Sequence, residues 1–301
     1  MPRGVPLALM VLLAAPLCAE EGDAWTETVR LQVALDRLGF SPGLIDGSSG
    51  RKTALALAAL ARARGVPSLA ATDIVPADLP ATAPYVITCE DPSLIGHVPA
   101  DWNERARLKA MTYESMIDLL AERGHCTVAA VRRLNPEVDF DRLAAGGTVV
   151  LPAVLADAAP SEPAATLIVD LAEKTVTARD AKGAPIALFH CSIAASVEKR
   201  PKGATSVKAV AMNPDYTFDP EKWPEVKDVD HKLTIPPGPR NPVGLAWIGL
   251  ELPGYGIHGT AWPELIGKTG SHGCIRLANW DAVRLAHLIE VGTPVEFVDG
   301  P

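Results

Sequence analysis

The spacing of apolar residues changes period once along this chain of 301 residues, and the change falls at the stretch Ala158-Ala159-Pro160-Ser161-Glu162-Pro163. Before it, apolar residues recur at helical spacing. Leu31, Leu35, Leu38 and Phe40 mark one face, closed by Gly39 as a C-terminal stop, and Thr53 to Arg64 carries an Ala/Leu face. After it, Leu167 to Asp170, Lys174 to Arg179 and Ile186 to Ile193 alternate as strands do, with the turn Asp180-Ala181-Lys182-Gly183 between the last two. A helix returns only near the end, where Asn279 is expected to cap it and Gly292 to end it. The pattern predicts a multidomain chain, helical first and mostly β last.

Composition sets the remaining bounds. At 48% hydrophobic and 21% charged, the chain can bury a sizeable core, which excludes disorder over most of its length. A formal net charge of −8 argues against a general nucleic-acid binder. At the N-terminus, Arg3 precedes an apolar run from Val5 to Leu17, and small residues surround Ala19. Residues 1–19 therefore read as a signal peptide cut after about Ala19, with the mature chain exported to the periplasm. The run is too short to span a bilayer, and Leu17 stands where a lipidated Cys18 would want a small residue before it.

The mature chain divides into three segments, 26–69, 84–153 and 164–299. The first reads as two helices around a tight Ile45-Asp46-Gly47 turn, followed by an Ala71 to Pro84 linker. The second reads as a strand (Tyr85 to Thr88), helices over Ser115 to Arg123 and Thr127 to Leu134, and a closing strand, Thr148 to Pro152. The third carries the chemistry. His258-Gly259-Thr260 follows a strand-like Trp247 to Leu250, and Ser271-His272-Gly273-Cys274-Ile275-Arg276-Leu277 comes shortly after. A thiol is the best side-chain nucleophile near neutral pH once something removes its proton, and a nearby histidine can take that proton. Zinc would accept the same residue types, but there is no second close-spaced ligand pair, so neither a metal nor another cofactor is expected.

These residues carry resemblances. The first segment resembles a small helical peptidoglycan-binding domain through Leu31-Gln32, Leu35, Leu38-Gly39-Phe40, Ile45-Asp46-Gly47, Gly50, Thr53 and Gly65, with Leu60-Ala61 where an aromatic-Gln pair is usual. The second resembles a LysM module, an α+β glycan binder, through Thr127 to Pro136 and Thr148 to Pro152, with an unusual insertion from Asp91 to Met111. The third resembles the L,D-transpeptidases of the YkuD type. Its matching residues are Asn213 to Tyr216, Pro237 to Gly244, Gly254 to Thr260, the Ser271 to Leu277 stretch, Asn279 to Ala282 and Gly292 to Val295. Lys199-Arg200-Pro201-Lys202-Gly203 departs from the family's turn there.

The third resemblance implies a mostly β domain, a β-sandwich, with Cys274 as nucleophile and His258 as general base. It further implies that the Gly259 carbonyl orients His258, that His272 supports the loop and oxyanion site, and that the Gly273 amide donates to the oxyanion. Arg276 would orient the cysteine loop, meet a stem-peptide carboxylate or close a salt bridge; Tyr255 and Asn241 join it as expected substrate contacts. The implied reaction attacks the third residue of a peptidoglycan tetrapeptide stem, releases D-alanine and passes the acyl group to an amine. The implied partners are stem peptides and glycan strands, with another stem, an envelope protein or water left open as acceptor. A carbapenem is the family's usual pseudo-substrate. With Cys274 reserved for catalysis, Cys89 and Cys126 are the remaining pair within one segment and are expected to form a disulfide, leaving Cys191 reduced and buried.

Overall fold

Asp23 opens the first helix: its side chain accepts from the Trp25 amide, and α1 spans Ala24–Arg37. This computed structural model describes residues 23–154, 163–223, 226–271 and 273–300; the signal peptide expected over 1–19 lies outside them. After α1 come α2 (Arg51–Ala63), β1 (Thr82–Val86), a short α3 (Trp102–Ala106), α4 (Met116–Arg123), α5 (Val128–Leu134) and β2 (Thr148–Pro152). Ser115 and Thr127 cap α4 and α5 by accepting from the amides of Asp118 and Ala130. β1 and β2 pair antiparallel, from Thr82 opposite Pro152 to Val86 opposite Thr148.

The first two segments share one core. Val29, Val33 and Leu35 of α1 and Leu60 of α2 belong to the same buried cluster as Leu119, Leu120, Val131 and Val149. The expected linker contributes Ile74, Leu79 and Ala81 to that cluster, so it is part of the fold and not a tether. The expected disulfide is absent: Cys89 and Cys126 are both free thiols, the first exposed and the second buried. The β1–β2 ribbon separates them. Cys126 Sγ lies beside Gly124, against Pro152 at one end of the ribbon, whereas Cys89 follows the other end, past Val86. Membership of one segment did not bring the two sulfurs within bonding geometry.

The third segment supplies β3 (Thr166–Asp170), β4 (Thr175–Arg179), β5 (Pro185–His190), β6 (Gly203–Met212), β7 (Tyr216–Phe218), β8 (Leu233–Ile235), β9 (Ala246–Leu250), β10 (Gly256–His258), β11 (Ile275–Arg276), α6 (Asn279–Leu288) and β12 (Pro294–Val298). The expected sandwich is instead one curled eight-stranded sheet, ordered β11-β10-β9-β6-β12-β3-β4-β5. The long strand β6 joins its halves. Gly203 to Ser206 pair with β12, Val207 to Met212 pair with β9, and an irregularity between Val207 and Ala209 turns the strand from one to the other. The helix α6 ends at Leu288, ahead of Gly292.

Leu188 of β5 joins the apolar cluster of the helical part, and several further contacts between the two parts are polar and buried. Asp36, at 0% exposure, receives Arg284 at 3.2 Å and lies 3.0 Å from His125 Nδ1. Burial opposes ionisation of Asp36, but His125 and Arg284 outweigh it and hold the carboxyl below its ordinary range. His125 stacks on Trp280 of α6, with ring centroids 4.9 Å apart, and Ser41 donates to Asp281 at 2.9 Å. Strand β5 would be an open edge, but Gly39 and Ser41 exchange backbone hydrogen bonds with Leu188 and cover it. The Asp91 to Met111 insertion packs on the β7–β8 hairpin, where Trp102 stacks on Phe218 at 4.3 Å between centroids. Among the described residues, no helix is long and apolar enough to cross a membrane.

Candidate active site

Strands β10 and β11 run parallel, with Ile257 opposite Ile275 and His258 opposite Arg276. Side chains alternate along a strand, so Gly256 and His258 share a face with Arg276 and with Cys274 just before β11. On the other side of β10, Trp247 of β9 stands opposite His258 and Gly249 opposite Gly256. The thiol and the imidazole therefore emerge from the same face of adjoining strands.

His258 is buried, and its Nδ1 lies 2.6 Å from the Gly259 carbonyl oxygen. A carbonyl only accepts, so Nδ1 carries the proton and Nε2 keeps its lone pair free to take another. Burial pushes the imidazole down to about 4, helped by the Arg276 charge and opposed by the Gly259 carbonyl. At neutral pH the ring is uncharged.

Cys274 Sγ faces the Gly254 carbonyl at 3.8 Å. Burial pushes this thiol up from its ordinary value, while the Gly256 amide and the Lys222 and Arg276 charges pull the other way without winning. The thiol therefore keeps its proton at neutral pH, on the same face as a neutral imidazole. Lys222 belongs to the turn following the β7–β8 hairpin's first strand, and Tyr216 of that strand also feels the Cys274 charge, so the hairpin faces the nucleophile.

The loop that carries Cys274 is tied down on both sides. Ser192 and Arg276 exchange backbone hydrogen bonds at 2.9 Å, and Ser271 pairs with Ile193 and Ala195. Ser271 Oγ donates to the Cys274 carbonyl and accepts from the Gly273 amide at 3.2 Å. The Gly273 amide, expected to be free for an oxyanion, is thus already engaged inside the loop. Arg276 resolves towards loop support: its guanidinium donates to the Thr269 and Gly270 carbonyls at 3.2 and 2.8 Å. Tyr255 donates to the Lys199 carbonyl at 2.9 Å, and its ring lies near Gly273 in the cysteine loop.

Asn241 is not a substrate contact. It is fully buried, its amide donates to the Pro236 carbonyl at 2.8 Å, and its oxygen accepts from Val243, so it closes its own loop. His272 lies outside the described residues. Among the described residues, no group of three His, Cys, Asp or Glu side chains is placed to hold a metal ion.

Asn279 was expected to cap α6, but Ala278 takes the cap position and makes no side-chain cap. The Asn279 oxygen instead accepts from the Leu245 and Thr260 amides at 3.2 and 3.1 Å, beside the histidine. Its signal in the sequence was the glycine pair Gly244 and Gly259. A Cβ on either would fall 2.1 or 2.4 Å from the Asn279 oxygen.

A family profile describing the L,D-transpeptidase catalytic domain, YkuD, matches residues 164–297. A putative L,D-transpeptidase of Fuscovulum blasticum, from the ATP synthase subunits region, is 31% identical over 132 residues, covering 44% of this chain and 68% of that protein. The chain belongs to the YkuD family of L,D-transpeptidases. Putative L,D-transpeptidase YqjB of Bacillus subtilis is 40% identical over 105 residues, which cover 33% of this chain and 52% of that one. Probable L,D-transpeptidase YbiS of Escherichia coli K12 is 38% identical over 107 residues, covering 35% of this chain and 31% of that one. The chain thus spans about half or less of the length of these two relatives. The YkuD match includes both His258 and Cys274 and stops short of the two helical segments.

Proposed function

We propose that this L,D-transpeptidase family member is an exported acyltransferase that works on peptidoglycan stem peptides through a cysteine thioester. The observation that carries the reading is the placement of Cys274 and His258 on one face of adjoining strands, with His258 Nδ1 committed to the Gly259 carbonyl and Nε2 left as the proton acceptor. His258 takes the thiol proton as Cys274 attacks the carbonyl at the L-centre of the stem's third residue. The amide of Cys274 itself meets the oxyanion. Collapse breaks the peptide bond, and the His258 proton leaves with the D-alanine amine. An acceptor amine then gives its proton to His258, attacks the thioester and returns the thiol. The peptide bond's energy passes through the thioester, so the acyl transfer needs no nucleotide.

The two N-terminal segments serve as the wall-binding part, raising the local concentration of stems around Cys274. The acceptor is an amine on another stem or on an envelope protein. Incubating the purified chain with defined tetrapeptide muropeptides and reading products by mass spectrometry tests the proposal. Dimers formed with loss of D-alanine support it. Tripeptides alone would mean a carboxypeptidase on the same fold, and no product would favour an inactive tether.

A further inference from the structure

The carboxamide of Asn279 is held at both ends, and one of its holders comes from far upstream. Its Nδ2 donates to both carboxylate oxygens of Glu122 in α4, at 3.1 and 3.2 Å, and to the Pro239 carbonyl at 3.1 Å. Tyr113 fixes the same carboxylate, donating to it at 2.9 Å. At the other end, Asn279 Oδ1 accepts from the Leu245 and Thr260 amides, in the space left open by Gly244 and Gly259.

Two elementary facts turn this contact into a device. A carboxylate only accepts, so Glu122 selects the amino end of Asn279 and forces the oxygen towards the two backbone donors. A flipped carboxamide would set donor against donor at one end and acceptor against acceptor at the other. Secondly, the Thr260 N–H and the Gly259 C=O belong to one planar peptide unit. Pinning that N–H fixes the direction of the carbonyl, and that carbonyl holds His258 Nδ1 at 2.6 Å.

We infer that Glu122 is a positioning residue for His258, acting through Asn279 and the Gly259–Thr260 peptide plane. The middle segment of the chain thereby supplies part of the scaffold that sets the tautomer and aim of the base. The inference rests on His258 being the base of the proposed reaction.

The test compares the full-length chain with Glu122→Gln, and with Arg123→Ala as a control on the same helix. Three readouts are taken: circular dichroism for the fold, kcat and KM on a tetrapeptide stem, and the ¹⁵N shifts of His258 for its tautomer. In a folded Glu122→Gln chain, kcat should fall roughly tenfold or more with KM within about twofold, because the loss is one of aim and not of binding. His258 should show mixed tautomers, while Arg123→Ala matches the parent. A folded Glu122→Gln chain with parental kcat and a single parental tautomer overturns the inference. If the parent does not turn over the tetrapeptide but the variant still mixes tautomers, the positioning role stands and the substrate reading fails. If Glu122→Gln does not fold, Tyr113→Phe, which removes one partner of the same carboxylate, decides. Tautomer mixing with kcat down roughly threefold supports the role, and parental values of both overturn it.

Discussion

Trp247 lies against His258 with ring centroids 5.6 Å apart and planes 26° from parallel, and it occupies that position because two glycines leave it room. A Cβ on Gly256 would fall 2.5 Å from the indole ring, and one on Gly249 would fall 3.1 Å from its nitrogen. The indole therefore lies along the sheet on the catalytic face itself, where a side chain at either position would lift it. Gly256→Ala should displace Trp247 and with it the imidazole. The expected result is acylation slowed by roughly 10–100-fold with a lowered unfolding midpoint, as for other supports of a positioned ring. Single-turnover acylation and thermal unfolding on the same preparation check both halves, and a parental acylation rate would remove Trp247 from the account.

The pH dependence of acylation follows from the two neutral partners. His258 titrates at about 4 and the Cys274 thiol above its ordinary value, so both stay in the working protonation state across the neutral range. Single-turnover acylation should stay nearly flat from about pH 6 to 8 and fall on an acid limb centred near the His258 value. His258→Ala should lower the plateau by roughly 10²–10⁴-fold and abolish that limb. An acid limb centred near 6.5, the unperturbed histidine value, would show that burial does not set this group.

The four thiols among the described residues should separate by accessibility. Cys89 is exposed, Cys126 and Cys191 are buried, and burial pushes the Cys126 thiol up to about 12 and Cys191 higher still. In the folded chain, a maleimide should label Cys89 fastest, Cys274 next, and the two buried thiols only on unfolding. A carbapenem, which needs the His258 face and not mere exposure, should leave one adduct on the peptide holding Cys274 and none after Cys274→Ser. Peptide mapping that finds Cys89 joined to Cys126, or an adduct on Cys191, would contradict this order.

Asp281 gives a stability prediction with a definite sign. Burial raises its carboxyl to about 7 from the unfolded value of 3.8, with Asp36 adding to the rise and Arg284 and Ser41 opposing it. The folded state therefore holds this proton more tightly than the unfolded one, and this group's contribution to stability declines as pH rises from about 4 to about 7. Asp281→Asn keeps an acceptor for Ser41 and removes the charge. It should stabilise the chain above pH 7, on the order of 2 kcal/mol, and flatten the slope between pH 4 and 7. Urea unfolding at pH 5 and pH 8 measures the difference; an equal loss of stability at both values would mean that Asp281 is an ionised partner of Arg284.

Much of the site was legible because its signals are local. His258-Gly259 and Cys274-Ile275-Arg276 each lie within a few residues, so the resemblance to the L,D-transpeptidases could be matched position by position, and the implied contact between the His258 ring and the Gly259 carbonyl is present. The α4 and α5 boundaries were legible for the same reason, since Ser115 and Thr127 cap within three residues. What was misread depends on partners distant in the chain. Asn279 looks like a helix cap until Leu245, Thr260 and Glu122 are beside it. Asn241, drawn from a motif, spends its polar atoms on its own loop. Cys89 and Cys126 share a segment, but a shared segment says nothing of the five-residue ribbon that lies between the two sulfurs. The linker of Ala71 to Pro84 hid its role because three apolar residues among alanines and prolines have no period to read.

The knot of Asp36, His125 and Arg284 has a consequence for how such a chain can be inherited. Each of its three members comes from a different segment, and losing any one leaves an ionisable group stranded away from water. Glu122 adds a further cross-reference, from the middle segment to Asn279 in the catalytic one. Grafting this catalytic half behind a foreign N-terminal half would therefore require carrying those residues along. Joined to an N-terminal half that lacks them, the catalytic half should lose both stability and the aim of its histidine loop.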